Sequence, residues 1–120
     1  MRLRGKLLKK NMEFTRVYRS GQSVPGRYCV LYFLPHEDNN IKVGISVSKK
    51  VGNSVTRHRL KRLYKEVFRL NHDRIKPGHH LVVIVRKKAA SLTFALCHSD
   101  FLAVLNRAGI LLASGRGGCK

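Results

Sequence analysis

The chain has 120 residues, with 25 Lys and Arg against 6 Asp and Glu, for a formal net charge of +19. That length suits one domain with a modest core. The charge argues against a small acidic metabolite and for a polyanion, either a nucleic acid or an anionic membrane surface. No apolar run approaches the ~20 residues of a bilayer span. Leu7-Leu8 is too short for the apolar core of a secretion signal. Cys29, Cys97 and Cys119 are odd in number and far apart, which gives neither a metal pair nor a disulfide framework. Cys29 and Cys97 sit in apolar stretches and read as small core residues. The expected compartment is the cytoplasm.

Residues 1–10 carry Arg2, Arg4, Lys6, Lys9 and Lys10 and read as a mobile basic arm, ordered only against a partner. Asn11 is suited to cap a first helix that runs to about Arg19 and stops at Gly21. Phe14, Val17 and Tyr18 lie on its inner side at helical spacing. After a turn at Pro25-Gly26, residues 28–34 are aromatic and β-branched and predict a strand. Alternation puts Tyr28, Val30, Tyr32 and Leu34 on one face, with Cys29, Leu31 and Phe33 on the other. A polar turn at 36–40 leads to a second strand over 41–47, with Val43, Ile45 and Val47 on one face. Two apolar runs joined by a polar turn predict an antiparallel hairpin.

The next stretch, Lys49–Arg69, is the most informative. Gly52 permits a bend, and Asn53 or Ser54 caps a helix. Leu60, Leu63, Tyr64, Val67 and Phe68 form its apolar stripe. The same rotation puts His58, Arg59, Lys61, Arg62, Lys65 and Arg69 on the opposite side as one cationic face, with Glu66 the one acid among them. A solvated helix face normally mixes charge signs. This one is nearly all cationic, which points to an anionic partner, and Arg suits phosphate oxygens. After an exit loop closed by Pro77-Gly78, Leu81–Val85 predicts a buried central strand. A strand, a helix and a strand imply a parallel crossover. Arg86-Lys87-Lys88 follow. Thr93 caps a last helix with Phe94, Cys97, Phe101, Leu102 and Leu105 inward. Residues 114–120 are Gly-rich and read as a disordered tail. The expected fold class is α+β, a single α-β-β-α-β-α domain with helices packed on a mixed sheet.

Lys-Lys-Val-Gly-Asn-Ser-Val-Thr-Arg-His-Arg-Leu-Lys-Arg, from Lys49 to Arg62, resembles the signature of the protein subunit of bacterial ribonuclease P. Arg57, Arg59, Lys61 and Arg62 match the pattern. His58 departs, standing where the family usually has Asn. The resemblance extends over nearly the whole chain, taken as a domain over 1–113. It includes Phe14, Val17, Tyr18 and Gly21, Val30-Leu31-Tyr32, and Val43–Lys50. It implies a left-handed βαβ crossover, where pattern alone gives the right-handed form found in ~98% of cases. It also implies an accessory role in a ribonucleoprotein endoribonuclease that removes the 5′ leader of precursor tRNA, with catalysis and Mg²⁺ in the RNA subunit.

The acids are consistent with that role. Glu13, Glu37, Asp38, Glu66, Asp73 and Asp100 are spread over different elements. Metal-assisted hydrolysis by the protein itself needs converging carboxylates. No cofactor, catalytic residue or metal ligand is assigned to the chain, and no small-molecule substrate or membrane partner. The expected catalytic-RNA-binding residues are Lys49, Lys50, Arg57, His58, Arg59, Lys61, Arg62 and Lys65. The expected leader-binding residues are Phe14, Tyr18 and Tyr32, on which unpaired bases stack. The expected partners are the ribonuclease P RNA and precursor tRNA. A structural RNA-binding protein, such as a ribosomal protein, is the alternative that charge and size also allow.

Overall fold

The computed structural model describes residues 11–36 and 41–112. The basic arm, the 37–40 turn with Glu37 and Asp38, the tail and Cys119 lie outside the described residues, as do the side chains of Asn11 and Glu13. Three helices and a four-stranded sheet make up the described chain: α1 (Asn11–Ser20), β1 (Gln22–Pro25), β2 (Cys29–Pro35), β3 (Ile41–Ser46), α2 (Ser54–Asn71), β4 (His79–Val85) and α3 (Phe94–Ala108). Single 3₁₀ turns at His72–Arg74 and Lys87–Ala89 follow α2 and β4.

The strand order is β1-β2-β4-β3. β4 pairs antiparallel with β2 and parallel with β3, so β3-α2-β4 is the expected parallel crossover. The antiparallel hairpin expected between β2 and β3 does not form, because β4 lies between them. Leu81, Val82, Val83 and Val85 are all buried, and only a central strand covered on both faces satisfies such a run. The strong non-local demand of β4 overrides the local hairpin signal. β1 was not expected. It is a mostly exposed edge strand, ending in a proline that an edge tolerates.

The alternation in β2 divides the protein into layers. Cys29, Leu31 and Phe33 join Leu81, Val83 and Val85 in the main core under α2 and α3. Tyr32, Leu34, Val82 and Ile84 face the other way and meet Phe14 and Val17 of α1. Leu60, Tyr64, Val67 and Phe68 form the buried face of α2. Truncating any such aromatic would cost ~3–5 kcal/mol. Cys97, Phe101, Val104 and Leu105 are the buried face of α3. Phe94, expected inward, is 39% exposed: it is the first helical residue, and its ring stacks on His98 instead.

The caps follow from local chemistry. The Asn53 side chain accepts from Thr56 N–H at 2.9 Å and starts α2. Thr93 does the same for α3, and Gly109, at φ 78°, ends it in the left-handed region. Gly52 does not adopt positive φ, unlike Gly78 and Gly109. Its role is space, since a Cβ there would lie 2.9 Å from the Thr56 methyl. Gly21 seats α1: a Cβ would come within 2.5 Å of the Phe33 and Val17 carbonyl oxygens.

Candidate nucleic-acid interface

Between α1, the end of β3 and α2 lies a cavity of about 370 Å³, lined by Phe14, Thr15, Tyr18, Ile45, Ser46, Val47 and Lys61. Its volume falls in the ~300–1,000 Å³ range of ligand clefts. Of the three rings expected to bind together, Phe14 and Tyr18 line it. Tyr32 is not on its wall but backs Tyr18 edge-on, with centroids 5.1 Å apart and planes at 87°. Tyr18 is 36% exposed, and its hydroxyl shares a hydrogen bond with the Ser46 side chain. Burial raises the Tyr18 phenol above its ordinary range, and the Ser46 bond partly opposes that. The hydroxyl therefore stays protonated and neutral at physiological pH. An amphipathic ring at the mouth of a groove, held by a second ring, offers a flat apolar surface with a wet edge.

The cationic residues of α2 do not form one face. At 3.6 residues per turn, Arg57, Lys61 and Lys65 follow one another at four-residue intervals along the flank toward β3, with His58 beside them. Ser54, Arg57, His58 and Lys61 line a recess of about 160 Å³ on that flank. Lys61 lines both this recess and the aromatic cleft. Arg59 lies on the flank toward α3. Its guanidinium donates to the Leu92 carbonyl at 2.7 Å and to the Ala90 carbonyl at 2.8 Å. Arg62 is exposed on the outer surface. Arg69 is bound to Glu66 through two hydrogen bonds of 3.0 and 2.5 Å, which hold the Glu66 carboxyl below its ordinary range. Lys49 and Lys50 are exposed in the turn that Val51 N–H closes onto the Ser48 carbonyl at 3.1 Å. The helix rotation alone puts Arg59 on a different flank from Arg57. The carbonyls it binds belong to a loop 31–33 residues downstream, which no local pattern announces.

The described acids are dispersed. Asp100 accepts from the Arg27 and Tyr28 backbone N–H groups at 2.9 and 3.1 Å and so fixes the turn before β2. Sequence reading missed this role, because it joins positions more than seventy residues apart. Glu66 is paired with Arg69, and Asp73 is in the 3₁₀ turn. Among the described residues no three His, Cys, Asp or Glu side chains come together as metal ligands, and no helix is long and apolar enough to cross a membrane. Cys29 and Cys97 are buried free thiols, both pushed up to about 12, with burial the largest cause.

A small α+β domain that sets a cationic helix flank beside a cleft lined by aromatic rings has the features of an RNA-binding protein. The sequence profile of the family described as Ribonuclease P matches residues 3–109. A ribonuclease P protein component of Natranaerobius thermophilus is 44% identical over 104 residues, covering 87% of this chain and 90% of that protein. One from Clostridioides difficile is 48% identical over 92 residues, covering 76% and 81%. The solved RNase P protein of Staphylococcus aureus aligns with a TM-score of 0.82 at 34% identity, over 88% of this chain and 97% of that one. That of Thermotoga maritima aligns with a TM-score of 0.74 at 31% identity, over 89% and 94%. The chain belongs to the ribonuclease P protein family, the accessory subunits of a ribonucleoprotein endoribonuclease that processes tRNA.

Proposed function

We propose that the chain joins two RNAs in the cytoplasm: it docks on the ribonuclease P RNA through α2 and holds the 5′ leader of precursor tRNA in the aromatic cleft. The observation that carries this reading is the position of Lys61, which lines the basic recess and the cleft alike. Two polyanions brought to adjoining surfaces repel each other, and a shared cation between them screens that repulsion. On this reading Arg57, His58, Lys61 and Lys65, with Lys49, Lys50 and Arg62, meet phosphates of the catalytic RNA. Arg59 contributes by fixing the loop before α3 and with its remaining donors. Phe14 and Tyr18, backed by Tyr32, stack unpaired leader bases. Stacking is indifferent to base identity, which suits leaders that differ between tRNAs.

The protein holds no metal in this account. Asp100 is engaged in fixing a turn and Glu66 in an ion pair, so neither is available to converge with another carboxylate. On this reading Mg²⁺ belongs to the RNA subunit, where it would supply Lewis-acid chemistry for phosphodiester hydrolysis, and no residue of this chain holds it. The protein raises substrate affinity and, by neutralising phosphates, favours metal occupancy in the RNA. The free thiols accord with a reducing compartment.

The test is to isolate the protein with its bound RNA and sequence that RNA. Enrichment of ribonuclease P RNA and leader-bearing tRNA precursors is expected. Ribosomal RNA alone would return the chain to the structural RNA-binding reading. Precursor cleavage by the RNA-free protein would overturn the division of labour.

A further inference from the structure

The corner where α3 begins carries an exposed ring, Phe94, and two exposed lysines, Lys87 and Lys88, that neither RNA surface uses. Phe94 remains 39% exposed although its ring stacks on His98, with centroids 5.7 Å apart and planes 28° from parallel. Lys87 and Lys88 are exposed in the 3₁₀ turn that leads into this helix. Arg59 reaches the same loop from α2 and binds the Ala90 and Leu92 carbonyls. Those bonds use two of the five N–H donors of a guanidinium, leaving three for an outside acceptor. The acid on α3, Asp100, is turned to the Arg27 and Tyr28 N–H groups and does not offset this charge.

We propose that this corner is a third RNA contact, in which an unpaired nucleobase stacks on Phe94 while Lys87, Lys88 and Arg59 hold the flanking phosphates. The chemistry favours RNA over a protein partner. An exposed ring at the start of α3, next in the chain to a loop that carries Lys87, Lys88 and the Arg59 bonds, in a chain of net charge +19, suits a base with its phosphates. A protein interface needs a contiguous apolar patch. Exposed Leu96 lies two residues on, about 200° round the helix, so the apolar surface at Phe94 stays one ring wide. The corner belongs to the α2–α3 layer, whereas Phe14 and Tyr18 belong to the α1 side of the sheet. A strand in the cleft and a base on Phe94 are therefore separate contacts. The inference rests on RNA being the partner.

The chain contains no Trp, so Phe94→Trp installs a single reporter. The full-length variant, carrying Tyr18→Leu to weaken the cleft, is titrated with a fluorescently labelled single-stranded oligoadenylate and with its abasic counterpart. Anisotropy of the label reports binding; tryptophan emission reports the corner. Saturable quenching by the base-bearing oligonucleotide, and little by the abasic one, is expected. Phe94→Ala should weaken binding about five- to 150-fold, as for other base–aromatic contacts. Lys87→Ala with Lys88→Ala should lower the slope of log K against log salt by ~1.4, two phosphates at ~0.7 each. Rising anisotropy with unchanged tryptophan emission would overturn this contact and leave the RNA reading standing. Flat anisotropy would overturn both. A dimer in sedimentation without RNA, lost in Phe94→Ala, would assign the corner to a second copy and defeat the proposal.

Discussion

Replacing Tyr18 by Leu separates a stacking platform from a core residue. Tyr18 is 36% exposed, so roughly two-thirds of its surface is buried. For an aromatic side chain that means ~100–160 Å² removed from water. At ~25 cal/mol per Å², deleting the ring altogether would cost up to ~2.5–4 kcal/mol. Leucine keeps most of that apolar contact. What it loses is the edge contact with Tyr32, ~0.5–1.5 kcal/mol, and the hydrogen bond with Ser46, ~0.5–1.5 kcal/mol. The better helix propensity of leucine returns a few tenths. Stability should therefore fall by roughly 0.7–2.7 kcal/mol, which leaves a typical domain folded. Leader binding should respond separately, because leucine offers no flat π-face. Affinity of the reconstituted holoenzyme for leader-bearing precursor should drop by ~1–3 kcal/mol, about five- to 150-fold, while mature tRNA binds as before. Tyr18→Phe keeps the ring and should retain leader affinity. Thermal melts alongside anisotropy titrations with both tRNAs measure all of this. Equal losses for precursor and mature tRNA would refute the platform.

Arg57 and Arg59, two residues apart, should behave differently. Arg59→Ala should lower stability by ~1.5–3 kcal/mol through loss of its charge-assisted bonds to Ala90 and Leu92, whereas Arg57→Ala should leave the melt nearly unchanged and flatten the salt dependence of RNA affinity by ~0.7–0.9. The reverse pattern in melts and titrations would contradict the two flanks of α2. His58→Asn should retain catalytic-RNA affinity, because both side chains can donate a hydrogen bond; a clear loss of affinity in a folded Asn variant would show that His58 makes a contact that Asn cannot supply. Cys29 and Cys97, held near 12 against an ordinary 9.0 by burial, should resist alkylation in the native protein at about pH 8. Their raised values also set a sign: both thiols are neutral folded and unfolded below about 9, so stability is lost as pH rises from there toward 12. Mass spectrometry showing either cysteine modified as fast as in denatured protein would contradict their burial.

The parts legible in the sequence were those written in local periodicity. The α2 stripe, a cap at Asn53 or Ser54, the two faces of β2 and the central place of β4 follow from spacing alone, and the structure selects Asn53 as the cap. The parts that were not legible depend on distant partners. β1 is recognisable only once β2 stands beside it, since Gln22 and Ser23 carry no strand signal of their own. The placement of β4 between β2 and β3 was hidden behind the polar turn that suggested a hairpin. The site divides in the same way. Phe14 and Tyr18 could be set on one side of α1 by counting, but the approach of Lys61 to them requires the β3–α2 junction to be folded. Asp100 and Arg59 read as surface charges until the turn and the loop they hold come into contact with them.

The central claim is that the leader of precursor tRNA lies in the cleft beside Lys61. Photo-crosslinking from 4-thiouridine placed at successive leader positions, in the holoenzyme reconstituted with ribonuclease P RNA, tests it most directly. Peptides carrying Phe14, Tyr18 and Lys61 should bear the adducts from the leader, and a probe in the mature tRNA body should label none of them. Leader adducts confined to Arg62 and Lys65, or to the exposed edge at β1, with the cleft peptides unmodified, would contradict the account.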